Sequence, residues 1–175
     1  MCAEVDIAKI RKLMEALGKA SHGPGRIYLT GGSSAVLLNW RKMTVDVDLK
    51  LDPEPAGIFD ALAGLKDELD INIELAAPDQ FIPTLPGWRD RSLHIATCGE
   101  LDLYHYDFCS QALAKTERFH ARDKVDVAAM IERGLVRRDQ LLKLFEEISS
   151  QLKRFPAVEP HIFGERVRAI AAGAT

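Results

Sequence analysis

The chain contains few cysteines, few aromatic residues and no long apolar run. Its 175 residues include 3 Cys, and aromatic residues make up 7% of the sequence. The three cysteines, Cys2, Cys98 and Cys109, show no Cys-x-x-Cys spacing, which argues against a disulfide framework and a structural zinc site. No apolar run approaches the roughly 18 residues of a membrane-spanning helix, so we expect no membrane partner.

The sequence also lacks a strong excess of one charge and a secretion signal. It has 23 Lys+Arg and 26 Asp+Glu, and the resulting net charge of -3 argues against a general polyanion-binding protein. The first residues do not form a basic segment followed by an apolar one, as a signal peptide would. A hydrophobic content of 47% is enough for one sizeable core. These features predict a cytoplasmic protein with a single domain over residues 1–175.

The apolar pattern predicts an α/β (α+β) fold. Helical periodicity covers residues 5–20 and most of the chain after about residue 107. The expected strands are residues 26–30, 44–51, 70–75, 91–97 and 101–106. A short turn joins the last two, which favours a mixed β-sheet flanked by helices over a parallel Rossmann domain. We expect a sheet core at about residues 24–107 and a helical extension at about residues 108–175.

A Gly-Gly-Ser turn, formed by Gly31, Gly32 and Ser33, follows the first predicted strand. We expect a short helix after it, capped by Ser33 and Ser34 and extending to Trp40. Two glycines allow the backbone to approach a ligand closely, and the N–H groups at the start of a helix favour a phosphate. A tight turn without any ligand would explain the same pattern.

Two carboxylates, Asp46 and Asp48, share one face of the most regular predicted strand, because residues i and i+2 project to the same side. Strands are depleted in Asp, and neighbouring carboxylates repel each other unless a cation lies between them. Hard oxygen ligands suit Mg²⁺ or Mn²⁺. The alternative is a solvated strand face that binds nothing.

Glu74 is the candidate for a third carboxylate. It lies beside Asn72 on the polar face of the next predicted strand, and it would stand opposite the Asp-x-Asp pair if the two strands are paired. Asp70 and Asp102 are the alternatives for this role. On its own, Glu74 would be interpreted as an exposed strand residue.

The order of these features resembles the DNA polymerase β-like nucleotidyltransferase superfamily. Members of that superfamily carry a Gly-Gly/Ser turn, then an Asp-x-Asp or Asp-x-Glu strand about a dozen residues later, and then a third carboxylate on a later strand. Here the first two occur in GGSSAVLLNWRKMTVDVDLKL, which also has Arg41 and Thr44 where many members carry an Arg and a Ser or Thr. The third carboxylate is often Asp, whereas the best match here is Glu74. The resemblance covers about residues 26–75.

A later segment, residues 112–135, resembles the helical motif of abortive-infection (AbiEii-like) toxin nucleotidyltransferases and related uncharacterised bacterial proteins. The matching residues are Lys115, Arg118, Arg122, Asp123 and Asp126. The spacing of Lys115, Arg118, Arg122 and Asp126 predicts that one face of one helix carries all four. Either Lys115 and Arg118 contact a triphosphate, or this is a solvated face with an Arg122–Asp126 ion pair.

The resemblance implies the transfer of a nucleoside monophosphate from an NTP to a hydroxyl group on RNA, a protein or a small molecule. It assigns Mg²⁺ or Mn²⁺ and catalysis to Asp46, Asp48 and Glu74, and nucleotide binding to Gly31, Gly32, Ser33, Thr44, Lys115 and Arg118. The alternative is a catalytically inactive nucleotide-binding protein, or a toxin–antitoxin interaction protein, of the same fold. Further expected partners are the RNA or protein acceptor, a second copy of the chain or an antitoxin. Outside the family, the alternative is an unrelated α/β binding module in which the Asp-x-Asp pair is a surface feature.

Overall fold

The computed structural model describes residues 4–174, so Cys2 lies outside the described residues. The described chain forms a mixed α/β structure. Its elements in chain order are α1 (Ile7–Ala20), β1 (Gly25–Thr30), α2 (Gly32–Leu37), β2 (Asp46–Leu51), α3 (Ile58–Leu69), β3 (Asn72–Glu74), α4 (Trp88–Arg91), β4 (Leu93–Cys98), β5 (Leu101–His105), α5 (Phe108–Arg118), α6 (Ala121–Glu132), α7 (Arg138–Ile148) and α8 (Pro160–Ala171). Short 3-10 helices cover Pro78–Gln80 and Ser149–Arg154.

The elements group into two compact units. The first, which we call the sheet unit, contains the chain up to Ala77 together with Ser92–Tyr106. The second, the helical unit, contains Pro78–Arg91 together with the chain from Asp107 onward. Within the part of the chain that the structure describes, no helix is long and apolar enough to cross a membrane.

The sheet unit contains one five-stranded sheet with the strand order β3-β2-β1-β5-β4. Strand β1 is antiparallel to β2 and parallel to β5, β2 is parallel to β3, and β4 is antiparallel to β5. The mixed sheet predicted from the sequence is therefore confirmed. The short turn between β4 and β5 produces the antiparallel pair, as expected for a connection without room for a helix.

The core of the sheet unit lies between the sheet and helices α1 and α3. Buried residues recur along one face of α1, at Ile10, Leu13, Met14 and Leu17, which is the spacing of an amphipathic helix. In β2 the alternate residues Val47 and Leu49 are buried among them. This alternation leaves the other face of β2 for polar side chains.

Two expected boundaries in the sheet unit were wrong. The strand predicted from Thr44 begins at Asp46, and Val45, expected on the buried face, is 51% exposed. Thr44 instead forms an isolated antiparallel bridge with Val5. The helix predicted to extend to Trp40 ends at Leu37.

The continuous helix predicted through Lys115 and Asp126 was also wrong. Helix α5 ends at Arg118, and Phe119 adopts a left-handed backbone with φ 61°. Helix α6 begins two residues later after the N-cap residue His120, whose backbone N–H donates to the Asp123 carboxylate in a capping-box arrangement. The basic and acidic residues of the motif therefore belong to two helices.

Candidate active site

The Gly-Gly turn lies where β1 ends and α2 begins. Gly31 has φ 62° and ψ -131°, a conformation that L-residues with a side chain rarely adopt. A Cβ atom built on Gly31 would lie 2.7 Å from Oδ2 of Asp48. Glycine therefore allows the Asp48 carboxylate to lie directly against the turn.

The second glycine is packed against Thr44. A Cβ on Gly32 would collide with the Thr44 hydroxyl and would lie 3.3 Å from Nη1 of Arg41. The Thr44 hydroxyl donates to the backbone oxygen of Asp46 at 3.1 Å. The turn, Thr44, Arg41 and the start of β2 therefore form one packed group, and these are the residues on which the superfamily resemblance rests.

The two serines after the turn do not cap α2, so that expectation was wrong. Ser33 Oγ donates to the backbone oxygen of Thr30 at 2.7 Å, and Ser34 Oγ donates to the backbone oxygen of Leu29 at 3.2 Å. Both serines are fully buried. Their hydroxyls tie the first turn of α2 to the end of β1, and the contact of Ser33 with a phosphate stays a prediction.

Asp46 and Asp48 project from the same face of β2, as their spacing predicts. Asp48 is the register partner of Thr30, the last residue of β1. The carboxylate pair therefore lies at the end of β1 from which the Gly-Gly turn departs.

Strand β3 brings Glu74 and Asn72 to this pair. The parallel register aligns Asp46 with Asn72 and Asp48 with Glu74. The Asn72 amide nitrogen donates to Asp46 Oδ1 at 2.7 Å and to Glu74 Oε1 at 3.0 Å. The strand pairing expected for Glu74 is confirmed, and its side chain is linked to Asp46 through Asn72.

The other two candidates for the third carboxylate lie elsewhere. Asp70 follows the end of α3, and its carboxylate is 3.8 Å from the ammonium of Lys9. Asp102 is the register partner of Arg26, four residues before Thr30 on β1, which at about 3.3 Å per residue places it roughly 13 Å along the strand from Asp48. Glu74 is therefore the third candidate carboxylate that the sheet register aligns with the pair.

Among residues 4–174, no three His, Cys, Asp or Glu side chains form a group that could hold a metal ion. Asp46 and Asp48 fit a divalent cation by their chemistry, since both present hard carboxylate oxygens on one strand face. Glu74 is not assembled with them into a three-ligand group, and its Oε1 accepts a hydrogen bond from the amide of Asn72. Its role as a metal ligand or base stays a prediction.

A buried histidine contacts the helix that follows the turn, and its place there was not predicted from the sequence. His105, the last residue of β5, has Nδ1 2.9 Å from the Ser34 hydroxyl. Burial lowers the pKa of His105 to about 4, so the imidazole is neutral near pH 7. Ser34 and His105 are far apart in the sequence, and the only signal of their contact was that Ser34 follows the predicted strand 26–30 by a few residues and His105 lies near the end of the predicted strand 101–106.

In the helical unit, Lys115 and Arg118 are engaged with acidic residues. The Lys115 ammonium is 2.7 Å from Asp126 Oδ2 and 3.3 Å from Asp123 Oδ1, and its side chain is 9% exposed. Arg118 forms a bidentate pair with Asp123 at 2.8 and 2.6 Å. Asp126, the partner of Arg122 in the alternative interpretation, pairs with Lys115 instead. Triphosphate binding by Lys115 and Arg118 stays a prediction.

These pairs decide the charge state of Asp123. Burial raises the pKa of its carboxyl, but the hydrogen bonds and charges of Arg118 and Lys115 outweigh that effect and leave the pKa below its usual value. The Asp123 carboxyl is therefore ionised near pH 7 and contacts two cations, Lys115 and Arg118. Such a cluster fixes the geometry of α5 against α6.

Comparison with known proteins bears on the two segments that carry the family resemblance, residues 26–75 and residues 112–135. Neither a curated protein nor a solved structure matches the chain. Residues 6–158 match a protein family described as a nucleotidyltransferase of unknown function (DUF6036). This range contains the Gly-Gly turn, the strand with Asp46 and Asp48, Glu74 and the Lys115 cluster. With a match over most of its length, the chain belongs to this nucleotidyltransferase family.

Proposed function

We propose that the protein transfers a nucleoside monophosphate from an NTP to a hydroxyl acceptor, with Mg²⁺ or Mn²⁺ as cofactor. The observation that carries this proposal is the position of Asp46 and Asp48, which share one strand face with Asp48 lying against the Gly31 backbone. Membership in a nucleotidyltransferase family supports it. Phosphoryl-group transfer depends mainly on positioning and charge neutralisation, which is what such an arrangement offers.

Each residue of the site has a distinct role in this proposal. Asp46 and Asp48 hold the metal ion, which when bound neutralises the triphosphate charge and orients the attacking hydroxyl. Gly31 and Gly32, without side chains, let Asp48 and Thr44 pack directly against the turn, and the phosphates contact the backbone of that turn. Glu74 accepts the proton of the hydroxyl or completes the metal site. We include Lys115 and Arg118 as triphosphate contacts, and of the two, Arg118 has the more accessible side chain, 55% exposed.

The acceptor belongs to the same proposal. By its resemblance to abortive-infection (AbiEii-like) toxins, the chain would modify RNA or a protein, and an antitoxin or a second copy of the chain would bind it. Cys98 and Cys109 are free thiols, which fits a reducing compartment such as the cytoplasm.

The test is transfer of label from each of the four α-labelled NTPs, with Mg²⁺, to RNA, to protein or to an aminoglycoside. We expect Asp46→Asn and Asp48→Asn each to lower the rate about a hundredfold or more, because the charge that holds the metal is lost. Asp67→Asn, a change at an exposed carboxylate of α3, is the matched control. Equal transfer by all three variants and the wild type would exclude catalysis by this pair.

A second candidate function is nucleotide binding without turnover. One observation favours it: the Asn72 amide bridges Asp46 and Glu74, and within residues 4–174 no third carboxylate forms a metal-binding group with the Asp-x-Asp pair. In this case NTP with Mg²⁺ raises the melting temperature of the wild type, but no acceptor becomes labelled. Asn72→Asp would create a further carboxylate beside Asp46. The variant should raise the transfer rate only if turnover in the wild type is limited by the lack of a third carboxylate ligand, and this outcome separates the two functions.

A further inference from the structure

The helical unit contains a cavity of about 330 Å³ whose lining shares one residue, Lys115, with those assigned to the transfer reaction. It lies between α6 and α8, both of which pack against α5 far more than against one another. Small side chains at Ala128 and Ala169 leave this space, and Val127, Ile131 and Ile170 give it an apolar lining. Close-packed protein interiors have few voids larger than a water molecule, whereas cavities of roughly 300–1,000 Å³ are typical of small-ligand sites.

Two of the cations that line this apolar space lie against the ring of Phe119. The Lys124 ammonium is 4.0 Å from the centre of the Phe119 ring, and the Arg166 guanidinium carbon is 4.2 Å from it. Arg166 also donates to the backbone oxygens of Thr116 and Glu117 at the end of α5, which fixes its position. Phe119 thus brings two positive side chains from α6 and α8 to the wall of the cavity.

Two further charged residues of the cavity, Lys115 and Asp123, are paired. Lys115 is held by Asp123 and Asp126, and Asp123 is held by Arg118 as well. Glu165, the other acidic residue of the lining, lies 3.8 Å from His161, which forms an ion pair with it only when the imidazole is protonated. Lys124, by contrast, makes no ion pair with a carboxylate among the described residues. With Lys115, Lys124 and Arg166 against the carboxylates of Asp123 and Glu165, the lining of the cavity has a net positive charge.

We propose that this cavity binds a small organic anion with an apolar body, such as a medium-chain or aromatic carboxylate. The apolar body lies between α6 and α8, against Val127, Ile131 and Ile170. The carboxylate lies at Lys124 and Arg166, where it supplies the negative partner that Lys124 lacks. The site involves no residue of the sheet unit, so its existence does not depend on the proposed transfer reaction.

The test is isothermal titration of the full chain with three ligands of equal chain length: octanoate, octanol and octylammonium. We expect octanoate to bind about tenfold more tightly than octanol, because a charge-assisted contact with Lys124 and Arg166 adds to the same apolar burial. Octylammonium should bind more weakly than either. No octanoate binding up to millimolar concentration, or equal binding of octanoate and octylammonium, would overturn the proposal.

Variants locate the site. Ala128→Trp should abolish octanoate binding by filling the cavity, and Ala169→Leu, at an exposed position that tolerates a larger side chain, should weaken it. Ala172→Leu, just beyond α8 and outside the lining, is the control for the second change. Should both cavity variants bind octanoate as the wild type does, the ligand lies elsewhere and the proposal is wrong.

The charge is tested separately. Lys124→Gln should weaken octanoate binding about tenfold and leave octanol binding unchanged, since only the charged contact is removed. Lys143→Gln, on an exposed side of α7 outside the cavity, should change neither. If Lys124→Gln leaves octanoate binding unchanged, the assignment of an anionic ligand is wrong.

Discussion

Gly32 has no room for a side chain, and this gives a sharp test of the turn at the scale of one residue. Gly32→Ala places a methyl group on the Thr44 hydroxyl, close to Arg41. We expect a loss of about 1–3 kcal/mol in the free energy of unfolding, the usual cost of overpacking, and weaker NTP binding. Gly64→Ala is the matched control, because a Cβ there meets nothing within 4 Å and α3 gains a better helix former, worth about 1 kcal/mol. Urea unfolding of both variants provides the measurement.

The buried imidazole of His105 makes a prediction about pH. Above pH 6.5 the side chain is neutral in the folded and unfolded chain, and the difference between the two states vanishes. As the pH falls below 6.5, the unfolded chain takes up a proton that the folded chain, with a pKa of about 4, does not. Stability therefore falls between pH 6.5 and about 4.

The loss of stability that His105 causes at low pH can be measured separately with a variant. Between pH 7 and pH 5 the wild type should lose about 2 kcal/mol more unfolding free energy than His105→Gln, which keeps a polar side chain near Ser34 but does not titrate. Carboxylates titrate in both proteins and cancel in the comparison. An equal loss in the two proteins would show that His105 is protonated in the folded state at pH 5.

At the scale of secondary-structure elements, the junction of α5 and α6 is held by buried charges. Lys115→Met would leave Asp123 and Asp126 without their shared cation, and we expect a loss of about 3–5 kcal/mol in unfolding free energy. Arg137→Gln removes one partner of an exposed pair with Asp139 and should cost less than about 1 kcal/mol. Chemical denaturation without nucleotide gives both values and shows the structural part of the role of Lys115.

This junction also shows what could not be predicted from the sequence. Neither Gly nor Pro marks the break at Phe119, so helical periodicity continued through it. The left-handed residue is packed against Lys124 of the next helix and Arg166 of the last one, and the second of these contacts spans many residues of sequence. By contrast, the alternation of β2 predicted the buried positions Val47 and Leu49, because a period of two is a local property.

The candidate active site likewise has some features that could be predicted from the sequence and others that could not. The shared face of Asp46 and Asp48 follows from their spacing alone, and the alignment of Glu74 follows once β2 and β3 pair. The bridging role of Asn72 and the contact of His105 with Ser34 depend on side-chain placement across strands. Spacing specifies which face a residue occupies, but not which polar neighbour it meets there.

At the scale of the whole molecule, each unit is assembled from separate stretches of chain. Pro78–Arg91, which the sequence places in the sheet core, groups with the helices, and the chain then returns to the sheet unit for Ser92–Tyr106. In the helical unit this stretch is tied to the start of α5 by Arg91, which forms a bidentate pair with Asp107 at 3.1 and 2.8 Å. Asp107 is almost fully buried and also accepts from the backbone N–H groups of Cys109 and Ser110.

Removal of Arg91 should therefore loosen a whole stretch of the helical unit. Arg91→Gln leaves the Asp107 carboxylate buried without its cation, and we expect a loss of about 3 kcal/mol in unfolding free energy. Because the pair joins residues 78–91 to α5, limited proteolysis should cut this segment faster in the variant than in the wild type. Arg89→Gln, in the same helix α4, removes a cation that lies over the Trp88 ring and should cost no more than about 1 kcal/mol. Equal cleavage of the segment in Arg91→Gln and Arg89→Gln would mean that the buried side chains around Trp88, rather than the ion pair, hold it in place.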